Sequence, residues 1–124
     1  MSVKVELEKL LETSAGFGTT PMLLTTDADG RPRASAVSVS WDGEVATVRA
    51  GHRSVANAAE RALVSLLWPA PPGERFALLV DGEVEQVRPD DVPDGATGRQ
   101  AKPGGFVVVR ATGGILHVVD RPHA

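Results

Sequence analysis

Over residues 33–41 small or polar side chains alternate with apolar ones at nine successive positions, the period-two pattern of a strand with two unlike faces. Asp42-Gly43 then turns the chain into a second alternating run, residues 44–49. Asp-Gly supplies the positive φ of a tight hairpin, so these two runs are predicted to pair. Met22–Thr26 reads as an earlier strand, joined to the first run through the turn residues Asp27, Ala28, Asp29 and Gly30. Leu63–Trp68 and residues 76–86 read as further strands, separated by a Pro-Gly loop over residues 69–73. Within the latter, Asp81-Gly82 marks a bulge or a sharp bend. Residues 106–111 and 115–119 read as a closing hairpin around Thr112-Gly113-Gly114.

Two stretches are helical instead. Val3, Leu7, Leu10, Leu11 and Ser14 fall at the spacing of a short amphipathic helix, predicted over residues 1–15 and stopped by Gly16 and Gly18. Residues 55–62 are mostly helix-compatible and follow Ser54, which stands where a helix N-cap is expected. Residues 88–105 are rich in Pro, Asp and Gly without hydrophobic periodicity, and read as an irregular loop. Six to seven short strands, an N-terminal helix and a short helix after the third strand predict a mostly β, small antiparallel barrel.

Composition narrows the classes. With 124 residues and 42% hydrophobic side chains, the chain is predicted to be a single domain over residues 1–124. Net charge is −3 and the 13 basic residues are scattered, so no nucleic-acid stripe or membrane-binding face is expected. Lys4, Glu6, Glu8, Lys9 and Glu12 interrupt the first residues, which excludes a signal-peptide reading there and predicts a cytoplasmic protein. There are no cysteines, and His52, His117 and His123 have no neighbouring ligands at metal-binding spacing. No serine–histidine–acid order or paired-carboxylate spacing points to hydrolysis.

The richest stretch chemically is residues 47–57, where a β run ends in Gly51, the basic residues His52 and Arg53, and Ser54. A capped helix start with outward N–H groups is an anion site, and a phosphate fits it. The same residues also describe an ordinary strand–helix junction with solvated His52 and Arg53. Thr47 and Arg49 share one strand face, either lining a groove or facing solvent. Ser35, Val37 and Val39 share one face of the preceding run, and Ala36, Ser38 and Ser40 the other. Trp41 reads as a hairpin cap, Trp68 as core or interface, and His117 as a hydrogen-bonded strand residue.

The order of these elements resembles the pyridoxamine 5′-phosphate oxidase-like family, the FMN-binding split barrels. The resemblance covers residues 7–87. It is carried by residues 23–35, with their acidic-Gly turn and Arg31-Pro32; by Ser54-Val55-Ala56-Asn57 with the following residues 62–67; and by residues 80–85. It implies a homodimer with FMN in the groove between two barrels. It further implies that the isoalloxazine ring lies along Ser35, Ala36, Val37 and Ser38, and the phosphate at the junction carrying Thr47, Arg49, His52, Arg53, Ser54 and Asn57. Ser54 matches the family's phosphate-contacting serine, whereas Ala56 stands where many relatives have lysine, and Val55 where some have arginine. The implied activity is a flavin-dependent oxidoreductase with an unassigned acceptor. Alternatives are a reductase using the deazaflavin F420, which shares the barrel, and a non-catalytic ligand-binding or dimerisation module that binds haem, flavin or no cofactor.

Overall fold

A computed structural model describes residues 1–119. The strands are β1 (Ser2–Val5), β2 (Met22–Thr26), β3 (Pro32–Ala36), β4 (Ser38–Asp42), β5 (Val45–Ala50), β6 (Leu63–Trp68), β7 (Phe76–Pro89) and β8 (Gly105–Val118). Two helices join them, α1 (Leu10–Ala15) and α2 (His52–Glu60). All eight strands form one antiparallel sheet in the order β3-β2-β6-β7-β8-β5-β4, with β1 added beside β8. The two ends of that order, β3 and β4, are separated in sequence by Val37 alone. A sheet whose ends are one residue apart must curl onto itself, and this produces the split barrel.

The turn chemistry accounts for both hairpins beside this seam. Gly43 at φ 60° lets Asp42 pair with Val45, and Gly30 at φ 87° lets Thr26 pair with Pro32. At the seam the Val37 N–H donates to the Pro21 carbonyl and the Val39 N–H to that of Thr19, both at 3.0 Å. The segment before β2 thereby covers the β4 edge.

Alternation places the core. Val48, Leu66, Leu78 and Val107 are 0–1% exposed, while their strand neighbours face outward or lie half-buried. Each such side chain contributes about 1.5–3 kcal/mol relative to exposure. Helix α2 packs Val55 and Ala58 into the same core.

Four sequence expectations are corrected. Residues 2–5 form a strand, not the start of a helix: β5 pairs with β8 only through residue 110, leaving the edge at residues 114–117 open, and Ser2 to Val5 fill it. β-branched Val3 and Val5 suit that role. Helix α1 therefore begins only at Leu10, after a 3₁₀ turn over Leu7–Lys9. The run 33–41 is two strands, because Val37 moves the chain from one end of the sheet to the other. The expected closing hairpin is one continuous strand. Gly113 pairs with Asp81 and Gly114 with Val80, so both continue the strand instead of turning, and a Cβ on Gly114 would lie 2.7 Å from Leu10 Cδ2, which marks close packing there. With these changes the sheet has eight strands instead of six to seven. The irregularity expected at Asp81-Gly82 is present as a register shift against β8.

Candidate functional site

Three elements meet at the seam: the β3–β4 join, the end of β5, and the first turn of α2. Ser54 Oγ lies 2.8 Å from Ser35 Oγ, fastening α2 to β3. Ser38 pairs with Arg49 across β4 and β5. The helix cap is Gly51, with no side-chain cap hydrogen bond, and Ser54 sits inside the first turn, 3% exposed. The expectation that Ser54 caps the helix is thus corrected: Gly51 is already extended at φ −78°, ψ 174°, which moves the helix start to His52.

Alternation is unbroken across the seam. Ala34, Ala36, Ser38 and Ser40 are exposed, whereas Val37 and Val39 are 6% and 8% exposed and Ser35 is half-buried. The result is an outward strip with no side chain longer than serine. Of the four residues assigned to a ring, Ala36 and Ser38 lie on this strip, and Ser35 and Val37 face inward. Thr47 is half-buried and Arg49 exposed on the outer face of β5; His52 and Arg53 are exposed at the start of α2.

Asn57 is buried and serves a different purpose. Its Nδ2 donates to Thr25 Oγ1 at 3.2 Å and to Asp27 Oδ1 at 2.8 Å, and its Oδ1 accepts from Arg61 Nη2 at 3.1 Å. Asp27 also accepts from Arg33 Nε at 2.6 Å, with Arg53 Nε 3.6 Å away. The hydrogen bond from Arg33, then that from Asn57, hold the Asp27 carboxyl below its ordinary value despite the opposing cost of desolvation. Sequence reasoning treated Asp27 only as a turn acid. The available signal was its position six residues before Arg33 across a tight turn, a spacing that brings the two side chains together.

Arg49 is similarly engaged: both terminal nitrogens donate to the Asp90 carboxylate, Nη1 to Oδ1 at 2.7 Å. This bond lowers the pKa of Asp90. A hollow of about 450 Å³ opens between α2 and the β2–β3 turn, lined by Asp27, Asp29, His52, Arg53, Ala56 and Asn57. For an anionic cofactor the helix start offers backbone N–H groups, the Arg53 guanidinium and the His52 imidazole, set beside the carboxylates of Asp27 and Asp29. The strip of short side chains on β3 and β4 leaves room for a planar ring.

Trp41 and Trp68 stack on each other, centroids 6.4 Å apart and planes inclined by 16°, so they belong to the core side and leave the strip free. His117 is bonded through Nδ1 to Ser2 Oγ at 3.1 Å, as a strand residue. His123 lies outside the described residues. No cluster of three potential metal ligands exists among the described residues. No helix among them is long and apolar enough to cross a membrane.

The fold matches solved structures over most of the chain. An F420 reductase is 25% identical, with a TM-score of 0.60 over 77% of this chain and 88% of its own. The heme storage protein HutZ of Vibrio cholerae is 21% identical, with a TM-score of 0.58 over 92% of this chain and 95% of its own. A Listeria innocua protein provisionally named a pyridoxamine 5′-phosphate oxidase is 17% identical, with a TM-score of 0.56 over 87% and 94%. No family model and no curated protein matches the sequence. The chain has the split-barrel fold of the flavin-binding, pyridoxamine 5′-phosphate oxidase-like proteins.

Proposed function

We propose that the chain is a flavin-dependent oxidoreductase-like protein that binds FMN at the seam, two copies forming a homodimer around a shared groove. The observation that carries this reading is the outward strip Ala34–Ala36–Ser38–Ser40, flanked by Arg49 beside Ser38, together with the uncapped start of α2. A ring lying on that strip rests on methyl and hydroxymethyl groups, with Met22 and Leu24 flanking it across β2 and Thr47 and Arg49 across β5. A phosphate at the start of α2 meets His52, Arg53 and the first-turn amides. Ser54 acts beneath them, by holding α2 to Ser35. Ser35, Val37, Thr47 and Asn57 shape the floor and the helix mount. Bound there, a flavin supplies reversible hydride or electron transfer, and the protein supplies its position and electrostatics.

The similarity to an F420 reductase favours deazaflavin F420 as the alternative cofactor on the same strip. The carboxylates of Asp27 and Asp90, already on Arg33 and Arg49, favour a second reading, a module that binds haem, flavin or nothing and does no chemistry.

Absorption of the freshly purified protein separates these readings, since flavin, deazaflavin and haem absorb differently. Titration of the apo-protein with FMN and with riboflavin then tests the phosphate contact. FMN is expected to bind more tightly, and Ala56→Lys, which adds an ammonium to the hollow beside Arg53, to tighten FMN by about 1–2 kcal/mol. Equal affinity for the two ligands would remove the phosphate from this site.

A further inference from the structure

The register places Ser38, Arg49, Phe106 and Arg88 in one row across β4, β5, β8 and β7. Phe106 is 38% exposed in the middle of it, although the other large apolar side chains of these strands are buried or half-buried. The guanidinium carbons of Arg49 and Arg88 lie 5.0 and 5.7 Å from its ring centroid. Two cations on one ring repel each other, and only Arg49 has a neutralising acid. Arg88 has no carboxylate partner among the described residues. The row therefore carries a surplus positive charge on an exposed aromatic surface, an arrangement suited to a planar anion.

Asp90 shows what kind of anion. Its two oxygens fill the Arg49 fork in the bidentate geometry of a carboxylate. Its backbone is pinned at the hairpin end, where its N–H donates to the Gly104 carbonyl at 2.9 Å, so exchange on Arg49 requires only a side-chain rotation. Both side chains are open to solvent, Arg49 at 46% and Asp90 at 34%. The adjoining row, Ser40–Thr47–Val108–Gln86, has no charge. It offers a neutral floor between the basic row and the Arg110–Glu85 pair beyond it.

We propose that the row Ser38–Arg49–Phe106–Arg88 is the binding point for an aromatic carboxylate, the second reactant of the seam site, whose carboxylate replaces that of Asp90 on Arg49. That this ligand is a reactant rests on the cofactor reading above, because the row begins at Ser38, on the proposed ring strip. The binding itself does not depend on that reading.

The test uses benzoate, titrated at constant ionic strength into ¹⁵N-labelled full chain with and without FMN, and followed through arginine Nε–Hε and backbone amide resonances. Arg49, Arg88 and Phe106 signals should move together. Arg88→Gln should weaken binding by about fivefold, as a solvent-screened charge contact does. Asp90→Asn should tighten it by about fivefold, because the internal competitor is gone; a purely structural ion pair predicts no gain. Absence of shifts in the row, unchanged affinity in Asp90→Asn, or binding of phenyl phosphate where benzoate is silent each overturns the assignment. Benzoate bound on the row of a protein that refuses FMN sinks the cofactor reading and leaves the row; FMN bound without any response of the row to benzoate sinks the row alone.

Discussion

The hydroxyls of Ser35 and Ser54, nineteen positions apart in the chain, lie 2.8 Å from each other and tie the strand of the seam to the helix that starts beside it. Because Ser54 is 3% exposed, this bond is sheltered from water. Ser35→Ala and Ser54→Ala should each cost about 1 kcal/mol in denaturant unfolding, and the double variant should cost less than their sum. Strict additivity would show that the two hydroxyls do not act on each other.

Asp27 should govern the acid limb of stability. Its folded pKa lies below the ordinary 3.8, so its contribution is complete above that value and is lost as pH falls through the folded value. Asp27→Asn should lower the unfolding midpoint at neutral pH and flatten the decline below about pH 4. An acid limb as steep in the variant as in the parent would assign the decline to other carboxylates.

Gly82 lies where a side chain has no room. A Cβ there would sit 2.4 Å from Val109 Cγ1 and 2.8 Å from the Arg110 carbonyl oxygen, within the register shift of β7 against β8. Gly82→Ala should destabilise by roughly 1–3 kcal/mol, the usual cost of overpacking. Thermal unfolding of the variant measures this directly.

The stacked tryptophans should respond unequally. Trp68 Nε1 donates to the Gly18 carbonyl at 2.8 Å, whereas the buried Trp41 Nε1 has no partner among the described residues. Trp68→Phe should therefore cost about 1 kcal/mol more than Trp41→Phe, which removes an unsatisfied N–H. Both substitutions should abolish the near-ultraviolet dichroism of the pair.

The proposed dimer also has a testable surface. Met22, Leu67, Leu79 and Ile115 form a half-buried row on the outside of β2, β6, β7 and β8, beside Leu63 at 72% exposure. Sedimentation at micromolar concentration should find a dimer, and Leu67→Lys should yield monomer. A parent chain that sediments as monomer would remove the shared groove.

Much of this architecture was legible from turn residues and alternation. Asp42-Gly43 and the acidic turn ending in Gly30 placed two hairpins, because positive φ at a glycine is a local property. The seam was not legible, since nothing in the alternation of residues 33–41 distinguishes a continuous strand from one that changes partners at Val37. Nor was β1: Val3, Leu7 and Leu10 fit a helix locally, and only the open edge of β8 decides otherwise. At the site, the basic cluster was visible in sequence, whereas the acids that engage it were not. Asp27 is near Arg33 in sequence but reaches Asn57 only through the fold, and Asp90 lies 41 residues from Arg49.

Because a single residue, Val37, links the two ends of the sheet, those ends cannot move independently. Any spreading of β3 from β4 falls on the backbone dihedrals around Val37, and rotation there turns Ala36 relative to Ser38. The seam is thus geared to the outer strip: a molecule bridging Ala36 and Ser38 would resist that rotation.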